Sequence, residues 1–213
     1  MIMKKLIPLF FTSLLFVSCE KEPNLDNVQD EYVIYTQYDK DASFNKGKYF
    51  YVPDSVLVVG DNEKGATYLD ASNSNNIINA YNIQMEKRGY VKTNNKEEAN
   101  YGLQISYVEN TFYYVNSPSW WSDYPWYWSP SYWWPWYTGD WYYPYPFIYK
   151  YTNGSLICEM IDLSTVSETS SSSKPTVIWN NYITGIDYVN SSILPQLVKA
   201  VDQSFTQSPY VKY

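Results

Sequence analysis

Apolar positions along the chain follow two periods, and each period predicts a different kind of element. Residues 101–107 alternate apolar with small or polar side chains, which indicates a strand with one face in the core and one in solvent. Residues 75–88 instead place apolar side chains three and four positions apart, which predicts a helix. We expect residues 72–74 to cap this helix and Gly89 to end it. The same spacing predicts a second helix over residues 191–207.

Further strands are predicted where β-branched and aromatic residues cluster between turn signals. They lie at residues 32–38, 48–52, 56–59, from 91 onward, 154–163 and 176–183. The strand at residues 154–163 has apolar side chains toward both faces, so we expect it to be a central strand. The polar stretch 167–174 predicts a hairpin connection to the last strand. The order of elements predicts one α+β domain over residues 31–208, with an antiparallel-rich sheet and two helices packed on one face.

A segment rich in Trp, Tyr and Pro interrupts this pattern. Between residues 112 and 151, 21 of 40 residues are aromatic, eight of the nine tryptophans occur, and six prolines are spread through the stretch. The prolines exclude a helix through most of it and argue against a central strand. We therefore predict a long loop insertion over residues 116–148, hereafter the aromatic segment.

The aromatic segment is also the candidate binding surface. Exposure of so many rings would exceed the few hundred Å² of apolar patch usual on a monomer. The rings must therefore pack on each other and on the domain, or contact a protein, a glycan or lipid headgroups. A packed or loose surface loop without a ligand is the alternative. The candidate binding residues are Trp120, Trp121, Trp126, Trp128, Trp133, Trp134, Trp136 and Trp141.

The N-terminal residues have the pattern of a lipoprotein signal. Residues 1–18 combine two lysines with a short apolar run, which is typical of a signal peptide and too short to span a membrane. Residues 16–19, Phe-Val-Ser-Cys, match the site at which a signal peptidase cleaves before a cysteine that becomes acylated. We predict lipidation of Cys19, a polar tether over residues 19–30, and anchoring to the outer membrane on its periplasmic or surface face.

Charge and cysteine content exclude several function classes. The formal charge is −7, and it becomes −9 once the two lysines of the signal peptide are removed, so we expect no nucleic-acid partner. With Cys19 acylated, Cys158 has no cysteine left to pair with. Cys158 lies in an apolar run and is predicted to be a buried structural thiol. The chain has no histidine to serve it as a base.

Several short motifs occur in the order found in a known family. They are Asp41-x-x-Phe44, Tyr49-Phe50-Tyr51-Val52, Lys87-Arg88-Gly89-Tyr90, Asn100-Tyr101-Gly102-Leu103, Gly154-Ser155-Leu156, Ile161-Asp162-Leu163 and Val177-Ile178-Trp179. Together with the lipoprotein signal and the aromatic loop, they resemble the bacterial lipoprotein family called domain of unknown function 4136. The resemblance covers most of residues 30–208. It implies the envelope location and the α+β fold, and it adds no reaction or catalytic residues.

Candidate chemistry is sparse. A metal site would have to consist of carboxylates alone, and the candidates for calcium are the acidic stretches at Asp61–Glu63 and at Glu97 and Glu98. Both stretches are typical of solvated loops. We therefore predict no metal and no cofactor. Asp123 and Asp140 flank the aromatic cluster and are the one carboxylate pair that could cleave a glycoside.

Three functions follow in order of preference. The first is a lipid-anchored structural or interaction protein of the cell envelope, without enzymatic activity, whose aromatic segment contacts a protein or membrane partner. The second is a carbohydrate-binding surface lipoprotein, because Trp and Tyr faces stack on sugars. The third is a glycoside hydrolase that uses Asp123 and Asp140.

Overall fold

The structure is a computed structural model, and its described residues are 33–59, 67–109, 112–115, 130–133, 141–145, 148–151, 154–165, 174–185 and 194–213. Its strands are β1 (Val33–Tyr38), β2 (Tyr49–Tyr51), β3 (Leu57–Val59), β4 (Thr67–Tyr68), β5 (Val91–Lys92), β6 (Tyr101–Val108), β7 (Phe112–Val115), β8 (Ile148–Tyr151), β9 (Ser155–Asp162) and β10 (Thr176–Thr184). Its helices are α1 (Ala71–Lys87), α2 (Pro130–Trp133) and α3 (Leu194–Thr206).

Eight of these strands form one mixed sheet. Its order is β1-β10-β9-β6-β2-β5, and β3 pairs with both β4 and β6. The neighbouring strands β1, β10, β9 and β6 pair with one another in antiparallel fashion. On the other side of β6, strands β2 and β3 each pair with β6 in parallel, and β5 pairs with β2 in parallel. The α+β class is confirmed, with a parallel portion at one side of the sheet. Strand β9 lies centrally with all its residues buried, as predicted.

Both long helices pack on one face of the sheet, hereafter the helix face. A single buried cluster joins Ile77, Tyr81 and Met85 of α1 to Leu197, Val201 and Phe205 of α3. The rings of Tyr81 and Phe205 meet edge to face at 6.2 Å. Gln84 Nε2 donates a hydrogen bond of 2.8 Å to Asp202 Oδ1 between the helices. The predicted arrangement of two helices on one face is confirmed.

Helix α1 begins one turn earlier than the sequence pattern predicted. Its N-cap is Asp70, whose side chain accepts a hydrogen bond of 3.0 Å from the Asn73 backbone N–H. The predicted start was wrong because residues 71–75 include several Ser and Asn residues that could each serve as the N-cap. Helical periodicity of apolar residues is visible only from Ile77 onward. The other end was predicted correctly, since Gly89 follows the helix with a φ of +90° that a residue with a Cβ rarely adopts.

Strand β6 departs from the prediction of a half-exposed strand, because all eight of its residues are buried. Leu103, Ile105 and Tyr107 face the helices. The intervening Gly102, Gln104 and Ser106, which alternation assigned to solvent, are equally buried because part of the aromatic segment covers the opposite face of the sheet.

Regular structure occurs at both borders of the aromatic segment and in one short stretch within it. Strands β7 and β8 pair as an antiparallel two-stranded sheet that brackets the segment. Helix α2 is a single turn that begins at Pro130, and proline is tolerated there because the first helical N–H has no intrahelical partner.

The C-terminus packs beyond the predicted domain boundary at residue 208. Val211 is fully buried, and the Tyr213 N–H donates a hydrogen bond of 3.0 Å to the Arg88 carbonyl at the end of α1. In the described part of the chain, no helix is long and apolar enough to cross a membrane.

Candidate functional site

The face of the sheet opposite the helices, hereafter the aromatic face, is covered by two tryptophans. Trp133 and Trp141 are both buried in one cluster with Ile157, Ile161 and Val177 of the sheet. Gly102 makes room for the first of them. A Cβ added at Gly102 would lie 2.7 Å from Trp133 Cη2, closer than real Cβ contacts. The glycine in this strand therefore has a packing reason, which is the close approach of an indole.

Replacing Gly102 with alanine is expected to displace Trp133. Overpacking of this kind costs about 1–3 kcal/mol of unfolding free energy, and we expect a shift in tryptophan emission with it. A matched control is Ser106→Ala on the same strand and face. Ser106 Oγ is buried and has no hydrogen-bond partner among the described residues, so its loss should cost little.

In a double-mutant cycle, Gly102→Ala should cost less in a Trp133→Ala background, since the clashing indole is gone. Equal costs in both backgrounds would contradict the assignment of this contact.

The neighbouring Tyr132 ties α2 to the parallel side of the sheet. Its hydroxyl lies 2.6 Å from the hydroxyl of Tyr51 on β2. The Lys96 ammonium donates a hydrogen bond to the Tyr132 carbonyl and lies 4.1 Å from the centre of the Tyr132 ring. The Tyr51 ring also meets Trp133 edge to face at 5.6 Å. This part of the aromatic segment is therefore held by hydrogen bonds, a cation–π contact and ring packing.

A second described part, Trp141 to Tyr145, joins the sheet at the start of β10. The Tyr142 N–H donates to the Pro175 carbonyl at 2.8 Å, and the Val177 N–H donates to the Tyr142 carbonyl at 2.9 Å. Tyr142 forms an isolated parallel bridge with Thr176. These bonds place Trp141 in the core and leave the Tyr142 side chain 48% exposed.

Beneath this cover lies a row of polar side chains. Gln104, Glu159 and Asn180 stand opposite one another on β6, β9 and β10, and all three are buried. The Tyr143 hydroxyl donates a hydrogen bond to Glu159 Oε1. Asn180 Oδ1 accepts no hydrogen bond within the described structure. Amides and a carboxylic acid are thus enclosed between the sheet and the aromatic segment.

Glu159 is the chemically unusual member of the row. Its burial raises its pKa from 4.5 to about 7, and the hydrogen bond from Tyr143 lowers the pKa by less than burial raises it. Burial removes water from the carboxylate and so favours the neutral acid. A group that changes charge near neutral pH is a candidate for acid–base work. Here it also couples the aromatic segment to the sheet, because its hydrogen-bond donor belongs to that segment.

The described surroundings of Glu159 offer amides and a tyrosine. Among the residues that the structure describes, no group of three His, Cys, Asp or Glu side chains is placed to hold a metal ion. Glu97 and Glu98 lie in an exposed 3-10 turn, where Glu98 accepts a hydrogen bond of 3.1 Å from Asn95 Nδ2.

The predicted site residues divide into two groups. Trp133 and Trp141 are both buried in the hydrophobic cluster on the aromatic face of the sheet. Cys158 is free and buried on the helix face, as predicted, and burial raises the pKa of its thiol. The remaining residues lie outside the described structure: Cys19, Asp61 to Glu63, Trp120, Trp121, Asp123, Trp126, Trp128, Trp134, Trp136 and Asp140.

Sequence reasoning missed Glu159 and its row. The available signal was a carboxylate inside the apolar run of residues 156–161, which is rare unless the carboxylate has a partner. Gln104 gave no such signal, because a polar residue in an alternating strand ordinarily faces solvent.

The chain is similar to several proteins of known structure. A crystal structure of a DUF4136 family protein from Bacteroides thetaiotaomicron VPI-5482 is 40% identical, with a TM-score of 0.71 over 86% of this chain and 98% of that chain. A PelC dodecamer from Paraburkholderia phytofirmans is 12% identical, with a TM-score of 0.41 over 86% and 99% of the two chains.

A PDZ domain protein from Parabacteroides distasonis ATCC 8503 is 14% identical, with a TM-score of 0.41 over 86% of this chain and 37% of that one. These last two TM-scores are too low to bear on fold or function. No curated protein sequence matches the chain. The family model described as "Domain of unknown function (DUF4136)" matches residues 34–210. With that match and the 40% identical relative, this chain belongs to the DUF4136 family.

Proposed function

We propose that the protein is a lipid-anchored, non-enzymatic interaction module of the cell envelope, whose aromatic segment contacts a protein or membrane partner. The observation that carries the proposal is the attachment of the aromatic segment to the sheet at two places. Trp133 packs against Gly102, and Trp141 to Tyr143 join the sheet through β10 and Glu159. A segment fastened in this way is part of the domain, and we propose that its other tryptophans make the contact with the partner.

Two further features support this function over a catalytic one. The lipoprotein signal ending at Cys19 gives the chain a membrane attachment, with a short polar tether before β1. The titratable group with chemistry near neutral pH, Glu159, is enclosed beneath the aromatic segment and bonded to Tyr143. Because the buried Glu159 carboxyl binds Tyr143 and so holds the aromatic segment to the sheet, we assign it a structural role.

The anchor is tested with Cys19→Ala. Without the acylated cysteine, the protein should lose metabolic palmitate label and leave the membrane fraction, because acyl chains supply its membrane affinity. Ser18→Ala is the matched control, since alanine is also a small residue at the position before cleavage. Retention of label by the Cys19→Ala protein would contradict lipidation at this residue.

The partner contact is tested by photo-crosslinking in growing cells. A photoreactive amino acid replaces Trp126 in the full-length protein, and the control carries it at Tyr35 on β1, which is 42% exposed. We expect one recurring protein or lipid adduct from position 126 and none of the same mass from position 35. Identical adduct patterns at both positions would contradict a contact made by the aromatic segment.

A further inference from the structure

A polar cleft opens where the parallel side of the sheet meets α1 and α2. Its volume is about 620 Å³, which lies in the range of small-molecule sites. The described residues that line it come from the turn after β2, from the first half of α1, from β5 and the turn after it, and from α2. Several elements thus converge on this space, and the Glu159 row is not among its lining residues.

Part of the cleft lining is apolar. Ile78, Val52 and Pro53 line it with buried apolar surface. Tyr51 and Tyr132 form one wall, and their hydroxyls are bonded to each other at 2.6 Å. Because each hydroxyl already has a partner, these tyrosines chiefly offer ring surface. Ring surface and aliphatic surface suit the C–H faces of a pyranose.

The polar groups of the cleft are amides and one pair of opposite charges. The side chains of Asn75 and Asn94 are exposed and line the cleft. An amide both donates and accepts, as a sugar hydroxyl does, so the two groups match vicinal hydroxyls. Asp54 and Lys92 contribute charges that cancel, which disfavours a phosphate or a cation as the main ligand.

We propose that this cleft binds a neutral saccharide of one or two rings. Asn75 and Asn94 hold ring hydroxyls, Asp54 and Lys92 extend that hydrogen bonding, and Tyr132 supports one face of the sugar. This proposal does not rest on the partner contact, because saccharide binding and partner crosslinking are measured in separate experiments.

The test is saturation-transfer difference NMR on the full-length protein in detergent micelles. The probes are the methyl glycosides of glucose, galactose, mannose and N-acetylglucosamine, together with maltose, cellobiose and lactose. We expect saturation transfer to at least one probe, with a dissociation constant that is roughly millimolar. No transfer to any of these probes would overturn the proposal.

Matched variants locate the binding site. The double variant Asn75→Ala, Asn94→Ala should weaken binding about tenfold or more, because two hydrogen-bonding side chains are lost. Asn79→Ala is the control, since Asn79 is exposed on the same helix one turn away and does not line the cleft. Unchanged binding by the double variant would place the sugar elsewhere and overturn the assignment. If circular dichroism shows that the double variant is unfolded, Asn94→Ala serves as the test variant with the same outcomes.

Discussion

Trp141→Ala is expected to lower the free energy of unfolding by about 3–5 kcal/mol, the range for removing a buried aromatic side chain. Trp141 is 2% exposed and packs with Ile161 and Val177 on the aromatic face. Its loss would leave a cavity over the sheet and expose apolar residues that the indole now covers. Urea unfolding of the full-length variant, followed by circular dichroism, measures the change.

Tyr142→Ala is the matched control for that experiment. Its side chain is 48% exposed, and its bonds to Pro175 and Val177 are made by the backbone. An exposed side chain contributes within about 0.5 kcal/mol, so this variant should unfold close to the wild type. Equal losses in the two variants would mean that the segment contributes no specific packing at Trp141.

The second large effect is a dependence of stability on pH that arises from Glu159. Its pKa is about 7 in the folded protein, against an ordinary value of 4.5. Below pH 4.5 the carboxyl is protonated in both states and costs nothing. As the pH rises toward 7 the unfolded chain ionises first, so stability falls through this window and then stays low. The full loss is about 3 kcal/mol.

Glu159→Gln should remove this dependence. Glutamine keeps an oxygen that accepts the hydrogen bond from Tyr143 and carries no proton to lose, so the variant should be more stable than wild type at pH 8 and similar at pH 4. Glu86→Gln is the control, because Glu86 is exposed on α1 and its neutralisation leaves the core unchanged. If wild type and Glu159→Gln change in parallel between pH 4 and pH 8, Glu159 is not the buried acid described here.

The helix face could be predicted from the sequence because its information is local. Ile77, Tyr81 and Met85 repeat at helical spacing, and Gly89 ends the helix where a positive φ is required. Within β9, residues 156–161 are apolar except for Glu159, and this run correctly indicated a central strand. Both patterns, the helical spacing in α1 and the apolar run in β9, are formed by residues that are close together in the sequence.

The aromatic face could not be predicted in the same way. Gln104 and Ser106 follow the alternation of a strand open to water, and only a segment some thirty residues away in the chain changes their surroundings. That segment has no period, because prolines interrupt it throughout. Burial of Trp133 depends on the absence of a side chain at Gly102, which is a long-range contact that sequence spacing cannot indicate. The composition indicated that the aromatic rings must be buried somewhere. The structure shows that two of them, Trp133 and Trp141, are buried against the aromatic face of the sheet.

The most direct test of the proposed function is hydroxyl-radical footprinting of the tryptophans, read by mass spectrometry in purified protein and in intact cells. We expect Trp133 and Trp141 to resist oxidation as fully as Trp179, which is buried on the helix face. We expect Trp120, Trp121, Trp126 and Trp128 to be oxidised in the purified protein and protected in cells, where the partner is present. Oxidation of Trp133 and Trp141 at the rate of the others, or an identical pattern in both preparations, would contradict an aromatic segment that is fastened to the sheet and contacts a partner.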